Sequence, residues 1–181
     1  MEKKDRIRKS KFLSFILRHS PEYIGIELGL EGWVDIDTLL EKCSVVINIT
    51  REELEEIVFS CDKQRFSIKD RMIRANQGHS TEVDMRFKPL IPPDELYHGT
   101  SETKTKLIYQ KGILRMNRQY VHLSVDEETA KKVGKRHGYP CILVVDSEKM
   151  YKDGFRFYLS ENEVWMTEYV PVYCIKKTLL I

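Results

Sequence analysis

The sequence predicts an α+β fold in two parts, a winged-helix-like N-terminal lobe and a C-terminal lobe with a largely antiparallel sheet. Three observations predict it. Phe12, Leu13, Ile16 and Leu17 recur at helical spacing and open a series of three helices that ends in a hairpin pattern. Between Lys88 and Asp94, Pro89, Pro92 and Pro93 rule out both a helix and a central strand, so the boundary is set there, giving parts 1–90 and 91–181. Beyond it, short β-rich runs surround two helical segments, the order expected of an α+β domain.

The elements follow in order. Ser20-Pro21 stops the first helix near Arg18 and His19. Trp33 to Ile36 is short and extended, with a helix after it from about Asp37 to Cys43. Thr50 and Glu53 have capping-box spacing for a third helix whose Leu54, Ile57 and Val58 face inward. Arg65 to Ile68 and Met72 to Ala75 flank a Lys-Asp turn and read as a hairpin. In the second part, helices are expected from Thr103 to Gln110, closed by Gly112, and from Asp126 to Lys135. The β-rich runs are 121–124, 141–145, 155–159, 164–167 and 170–175.

A composition 41% hydrophobic and 32% charged over 181 residues is that of a soluble protein. No segment approaches the roughly 18 apolar residues of a membrane helix. The basic N-terminus leads into an amphipathic stretch rather than a signal core, so a cytoplasmic location is expected. Cys43, Cys61, Cys141 and Cys174 show neither CxxC pairing nor finger-like histidines, which argues against zinc and against a disulfide framework. The net charge of +2 says little, but Lys63, Arg65, Lys69, Arg71 and Arg74 cluster against Asp70 alone. Such a run is ordinarily a solvated face.

Four segments carry polar chemistry. Leu17 to Pro21 sets Arg18 beside His19 at a helix end, where cations suit the dipole and can converge on one phosphate. Asp62 to Phe66 ends the approach to the hairpin with Arg65, whose planar fork suits phosphate oxygens. Ile73 to Ser80 closes the hairpin with a glycine-containing turn. The fourth is a set: Tyr97-His98-Gly99-Thr100, Arg118 to Ser124 and Val133 to Gly138. Neither GxGxxG nor GxxxxGK[ST] is present, so neither a Rossmann site nor a P-loop is claimed.

Taken together and in this order, LRH, DKQRF, IRANQGHS, YHGT, VHLS, VGKRHG and ENEVWMT span nearly the whole chain. In that combination the sequence resembles the KptA-type RNA 2′-phosphotransferases. The resemblance implies a winged-helix-like lobe, an ADP-ribosyltransferase-like lobe that binds NAD⁺, and a two-step reaction. An RNA 2′-phosphate displaces nicotinamide from the ribose anomeric carbon, giving a 2′-phospho-ADP-ribosylated RNA. The ribose 2″-hydroxyl then attacks phosphorus, releasing RNA 2′-OH and ADP-ribose 1″,2″-cyclic phosphate.

It also implies that the family's essential Arg-His-Arg-Arg set maps to Arg18, His19, Arg65 and Arg118. The first three go to the transferred phosphate and Arg118 to the nicotinamide ribose and its phosphate. His98, Gly99 and Thr100, with His122, Leu123 and Ser124, are implied on that side of NAD⁺, and Gly134, Arg136 and His137 nearer the adenosine. The implied partner is an RNA with a 2′-phosphate, tRNA-like, met by a monomer with neither metal nor membrane. Related transferases carry a catalytic Glu where this chain has Val164, and an already anionic phosphate explains its absence. Family members often read NGVW where this chain has Asn162-Glu163-Val164-Trp165, and strand alternation predicts Glu163 as a surface residue. Two rivals remain at this stage. One is an ADP-ribosyltransferase that modifies nucleic-acid phosphate ends. The other is a winged-helix regulator, disfavoured by Glu52, Glu53, Glu55 and Glu56 on the third helix.

Overall fold

The computed structural model describes residues 1–180, with His137 and Leu180 described by their backbone alone. It divides into two compact units, Met1–Arg86 and Phe87–Ile181. Strands and helices are mixed, and every strand pair described is antiparallel, as an α+β fold requires.

In the first unit, α1 (Lys3–Arg18) lays Leu13, Ile16 and Leu17 into a core completed by α2 (Ile36–Cys43) and α3 (Arg51–Phe59). The Phe15 carbonyl accepts from both His19 N and Ser20 N, and Pro21 then starts a 3-10 turn that reverses the chain at Gly25 (φ 67°). The Asp35 side chain caps α2, so that helix begins one residue earlier than the sequence indicates. Thr50 and Glu53 form the expected capping box. Glu53 has a second partner, Lys9 Nζ at 2.6 Å, and Asp5 lies 3.1 Å from the same ammonium. Two carboxylates are what allow a lysine to be buried between α1 and α3. Strands β1 (Val34–Asp35), β2 (Phe66–Lys69) and β3 (Met72–Ala75) form a sheet in the order β1-β3-β2, with Phe66 opposite Ala75.

The basic run does not form a single face. Arg71 pairs with Asp37, and Arg74 lies buried with Nη1 2.9 Å from Glu31 and its guanidinium 4.6 Å over the Trp33 ring. These two arginines are tied to carboxylates that stand more than thirty residues away in sequence.

The second unit contains β4 (Glu95–Ser101), α4 (Glu102–Lys111), β5 (Ile113–Leu114), β6 (Val121–Leu123) and α5 (Glu127–Gly134). It continues through β7 (Pro140–Asp146), α6 (Ser147–Lys152), β8 (Tyr158–Leu159), β9 (Trp165–Thr167), β10 (Tyr169–Val170) and β11 (Ile175–Leu180). The strands form three small sheets, β11-β7-β4, β6-β9-β8 and β10-β5, rather than one. A bridge between Tyr97 and Ser124 ties β4 to β6.

Three sequence expectations change here. The run 170–175 is split, because Pro171 precedes a 3-10 turn (Val172–Cys174) and pairing resumes only with β11. The run 155–159 shortens to β8. Strand β4, unread in the sequence, carries Gly99 at its middle, and α5 takes the space a side chain would fill. A Cβ on Gly99 would lie 1.9 Å from the Ala130 carbonyl oxygen, and one on Gly134 would lie 2.8 Å from that of Thr100. Among the described residues, no helix is long and apolar enough to cross a membrane.

Candidate functional site

In the first unit, the end of α1, the entry to β2 and the loop after β3 come together around one backbone carbonyl, that of Arg65. Arg18 Nη2 donates to it at 3.3 Å and Asn76 N at 3.0 Å, while Asn76 Nδ2 donates to Gln64 O at 2.8 Å. Gln64 has φ 40°, a left-handed conformation uncommon for a side chain other than Gly or Asn, and the Asn76 clamp holds it. The Arg18 guanidinium lies 5.9 Å over the Phe66 ring, and Arg65 Nη1 donates to Cys61 Sγ at 3.1 Å. The chain then folds back over α1. Gly78 (φ 90°) lies against Arg18, and Ser80 N and Thr81 N both donate to Arg18 O, at 2.9 and 3.2 Å. His19 is exposed, with Nδ1 2.9 Å from Ser80 Oγ. Arg18 and His19 are thereby joined to the backbone of Arg65, 47 residues from Arg18, while the Arg65 guanidinium turns to Cys61. Asn76, Gly78 and Ser80, to which sequence reasoning assigned no individual role, frame this arrangement. The signal was present in the Asn-Gln-Gly turn, but only contact shows what it grips.

Beneath this group lies His79, 2% exposed, with no hydrogen-bond partner for Nε2 among the described residues. Burial first, then the positive charges of Arg18, His19 and Arg74, push its pKa down to about 4. A neutral imidazole adds no further charge to a crowd of cations. Unfolded, the same histidine binds a proton near pH 6.5, so acid favours the unfolded chain. This contribution is present above pH 6.5 and is lost as pH falls from there to about 4, amounting to roughly 3 kcal/mol. His79→Leu is expected to flatten that part of the curve of urea midpoint against pH. An unchanged acid slope would contradict the assignment.

In the second unit, the Tyr97–Ser124 bridge sets the YHGT and VHLS segments side by side, with backbone bonds of 2.9 and 2.8 Å. His98 Nδ1 donates to His122 O at 3.1 Å. Arg118 Nη1 stands 2.9 Å from His122 Nδ1. A guanidinium only donates, so this nitrogen of His122 is the acceptor. Arg118 and His98 thus both bond His122, whose Nε2 is buried. Thr100 and Leu123 are buried, and Leu123 packs into the core, leaving mainly backbone for any ligand. Gly99 and Gly134 serve the packing of α5 on β4. Arg136 is exposed on a 3-10 turn, and the side chain of His137 lies outside the described residues.

Glu163 is exposed, as expected, but not through strand alternation. It sits in a turn at φ 59°, with its N–H donating to Ser160 O at 2.9 Å, and β9 begins only at Trp165. Ser160 Oγ accepts from Val164 N at 3.0 Å and closes the turn. A left-handed turn is what glycine supplies without strain. Glu163→Gly is expected to stabilise the protein by up to about 1 kcal/mol, a rise in Tm of about 2 °C. A fall in Tm in thermal unfolding would refute the strain argument.

The family model for RNA 2′-phosphotransferase, Tpt1/KptA family, matches residues 4–169. The chain belongs to this family. It is 49% identical over 174 residues to a probable RNA 2′-phosphotransferase of Trichormus variabilis, covering 94% of this chain and 96% of that protein. A protein of the same name from Flavobacterium johnsoniae is 50% identical over 165 residues, covering 90% and 91%. One from Pectobacterium carotovorum is 47% identical over 177 residues, covering 95% of each. Membership of the RNA 2′-phosphotransferase family thus extends through both units, and the polar groups of each fall within the matched span.

Proposed function

We propose that this protein is an NAD⁺-dependent RNA 2′-phosphotransferase, with a winged-helix-like first unit and an ADP-ribosyltransferase-like second unit. The observation that carries the reading is the bond from Arg18 to the Arg65 backbone at the end of α1, with His19 the next residue, in a chain of this family. Arg18 and Arg65 are assigned to the oxygens of the RNA 2′-phosphate. Fixed guanidinium donors stabilise the charge of a phosphoryl transition state without reorganising. His19 is assigned the proton that the departing RNA 2′-oxygen takes as the P–O bond breaks. The attacking 2″-hydroxyl releases one proton to solvent in the same step, balancing the proton that His19 gives and later regains.

The donor set of the second unit, one guanidinium with two imidazoles, fits a ribose-phosphate ligand in kind. Arg118, His98 and His122 would hold NAD⁺, with Ser124 and the backbones of Gly99, Thr100 and Leu123 beside them and Gly134, Arg136 and His137 toward the adenosine. NAD⁺ supplies an electrophilic ribose carbon with nicotinamide as leaving group. Val164 in place of a carboxylate suits a nucleophile that is already an anion.

Incubation with NAD⁺ and an oligoribonucleotide bearing one internal 2′-phosphate should yield nicotinamide, ADP-ribose 1″,2″-cyclic phosphate and RNA with a 2′-OH. Accumulation of a stable ADP-ribosylated strand would instead identify a transferase that modifies nucleic-acid phosphates. Tight duplex DNA binding without turnover would point to a regulator.

A further inference from the structure

We infer that Ser80 is the positioning residue that orients His19 toward the RNA phosphate, by accepting the proton of Nδ1. The inference rests on the assignment of His19 above and adds a residue that the assignment does not contain. Three observations carry it. Ser80 Oγ stands 2.9 Å from His19 Nδ1. The Ser80 backbone is fixed independently of that contact, because Ser80 N donates to Arg18 O at 2.9 Å and Thr81 N to the same oxygen at 3.2 Å. His19 itself is the C-cap of α1 with φ −124°, its amide bonded to Phe15 O while its side chain is exposed.

An exposed imidazole at a helix end has two rotatable bonds. A hydroxyl whose own backbone amide is tied to the Arg18 carbonyl selects among the orientations they allow. A histidine that is to give up a proton must carry one on each nitrogen, and the Nδ1 proton then needs an acceptor. A serine oxygen provides this without a charge, whereas a carboxylate would also neutralise the phosphate-binding cations. Accepting from the imidazolium favours the charged ring.

The test compares Ser80→Ala, Ser80→Thr and His19→Ala on the 2′-phosphorylated oligonucleotide. Ser80→Ala retains the amide bonded to Arg18, so its Tm is expected within about 1 °C of the parent protein. Its kcat is expected to fall about tenfold or more with KM for NAD⁺ unchanged. The basic limb of its rate–pH profile should move to lower pH, and its His19 ¹⁵N shifts should differ from the parent's. Ser80→Thr keeps a hydroxyl and should recover most of the rate and the original pH profile. Ser80→Ala with parental kcat, pH profile and His19 shifts would overturn the inference. His19→Ala at the parental rate would remove the assignment on which it rests. Loss of activity in His19→Ala with none in Ser80→Ala would leave that assignment standing and reject Ser80 alone.

Discussion

Arg65→Ala is expected to lower phosphoryl transfer by about a thousandfold or more while leaving the fold intact. The separation of the two effects comes from which atoms of Arg65 do what. Its carbonyl oxygen holds Arg18 Nη2 and Asn76 N, and truncation of the side chain leaves that oxygen in place. The side chain itself donates to Cys61 Sγ, a weak acceptor whose loss costs little. What disappears is the guanidinium offered to the phosphate. Arg65→Lys should recover only part of the rate, because an ammonium cannot bind two phosphate oxygens in a planar fork. Single-turnover assays on the 2′-phosphorylated oligonucleotide, with Tm as control, measure both. An alanine variant within about tenfold of the parent would remove Arg65 from the chemistry.

Gly99→Ala is expected to have the opposite signature, loss of the fold of the second unit rather than loss of chemistry alone. Its added carbon would stand 1.9 Å from the Ala130 carbonyl oxygen and 2.9 Å from the Gly134 amide nitrogen. Both are backbone of α5, so no side-chain rotation relieves the overlap and the helix must shift as a body. Overpacking by one carbon usually costs about 1–3 kcal/mol, and a backbone collision belongs at or above the top of that range. Low soluble yield, or a fall in unfolding free energy of at least about 3 kcal/mol, is the expected outcome. A Tm within a few degrees of the parent would mean that α5 yields easily. The result matters to function as well, because His98 and Thr100 flank this glycine on β4 and move with it.

The two predictions separate what the glycine and the arginine were expected to do. Read in sequence, Gly99 lies in a segment that the resemblance sets on NAD⁺. The structure packs α5 against its α-carbon. Glu163 was expected to face solvent by strand alternation, and it does face solvent, but from a left-handed turn closed by Ser160. Only for Gly99 did the packing partner come from elsewhere in the chain.

By itself the sequence determined the helices whose apolar spacing and caps are local, α1, α3 with its Thr50–Glu53 box, and α5 with its Asp126 cap. It also determined the β2–β3 hairpin and the set of cations and histidines whose ordered motifs resemble one family. These are legible because helical period, capping and tight turns act over a few residues. Only the tertiary structure decided that Arg71 and Arg74 serve ion pairs while Arg65 stays beside Arg18. It alone showed that Asn76 clamps Gln64 and Arg65, that Ser80 bonds the end of α1, and that His79 is buried among cations and held neutral. Those facts depend on contacts across 12 to 61 positions of chain. No local pattern encodes such contacts, because the same side chain is a solvated charge, a buried ion pair or a ligand according to what the rest of the fold brings against it.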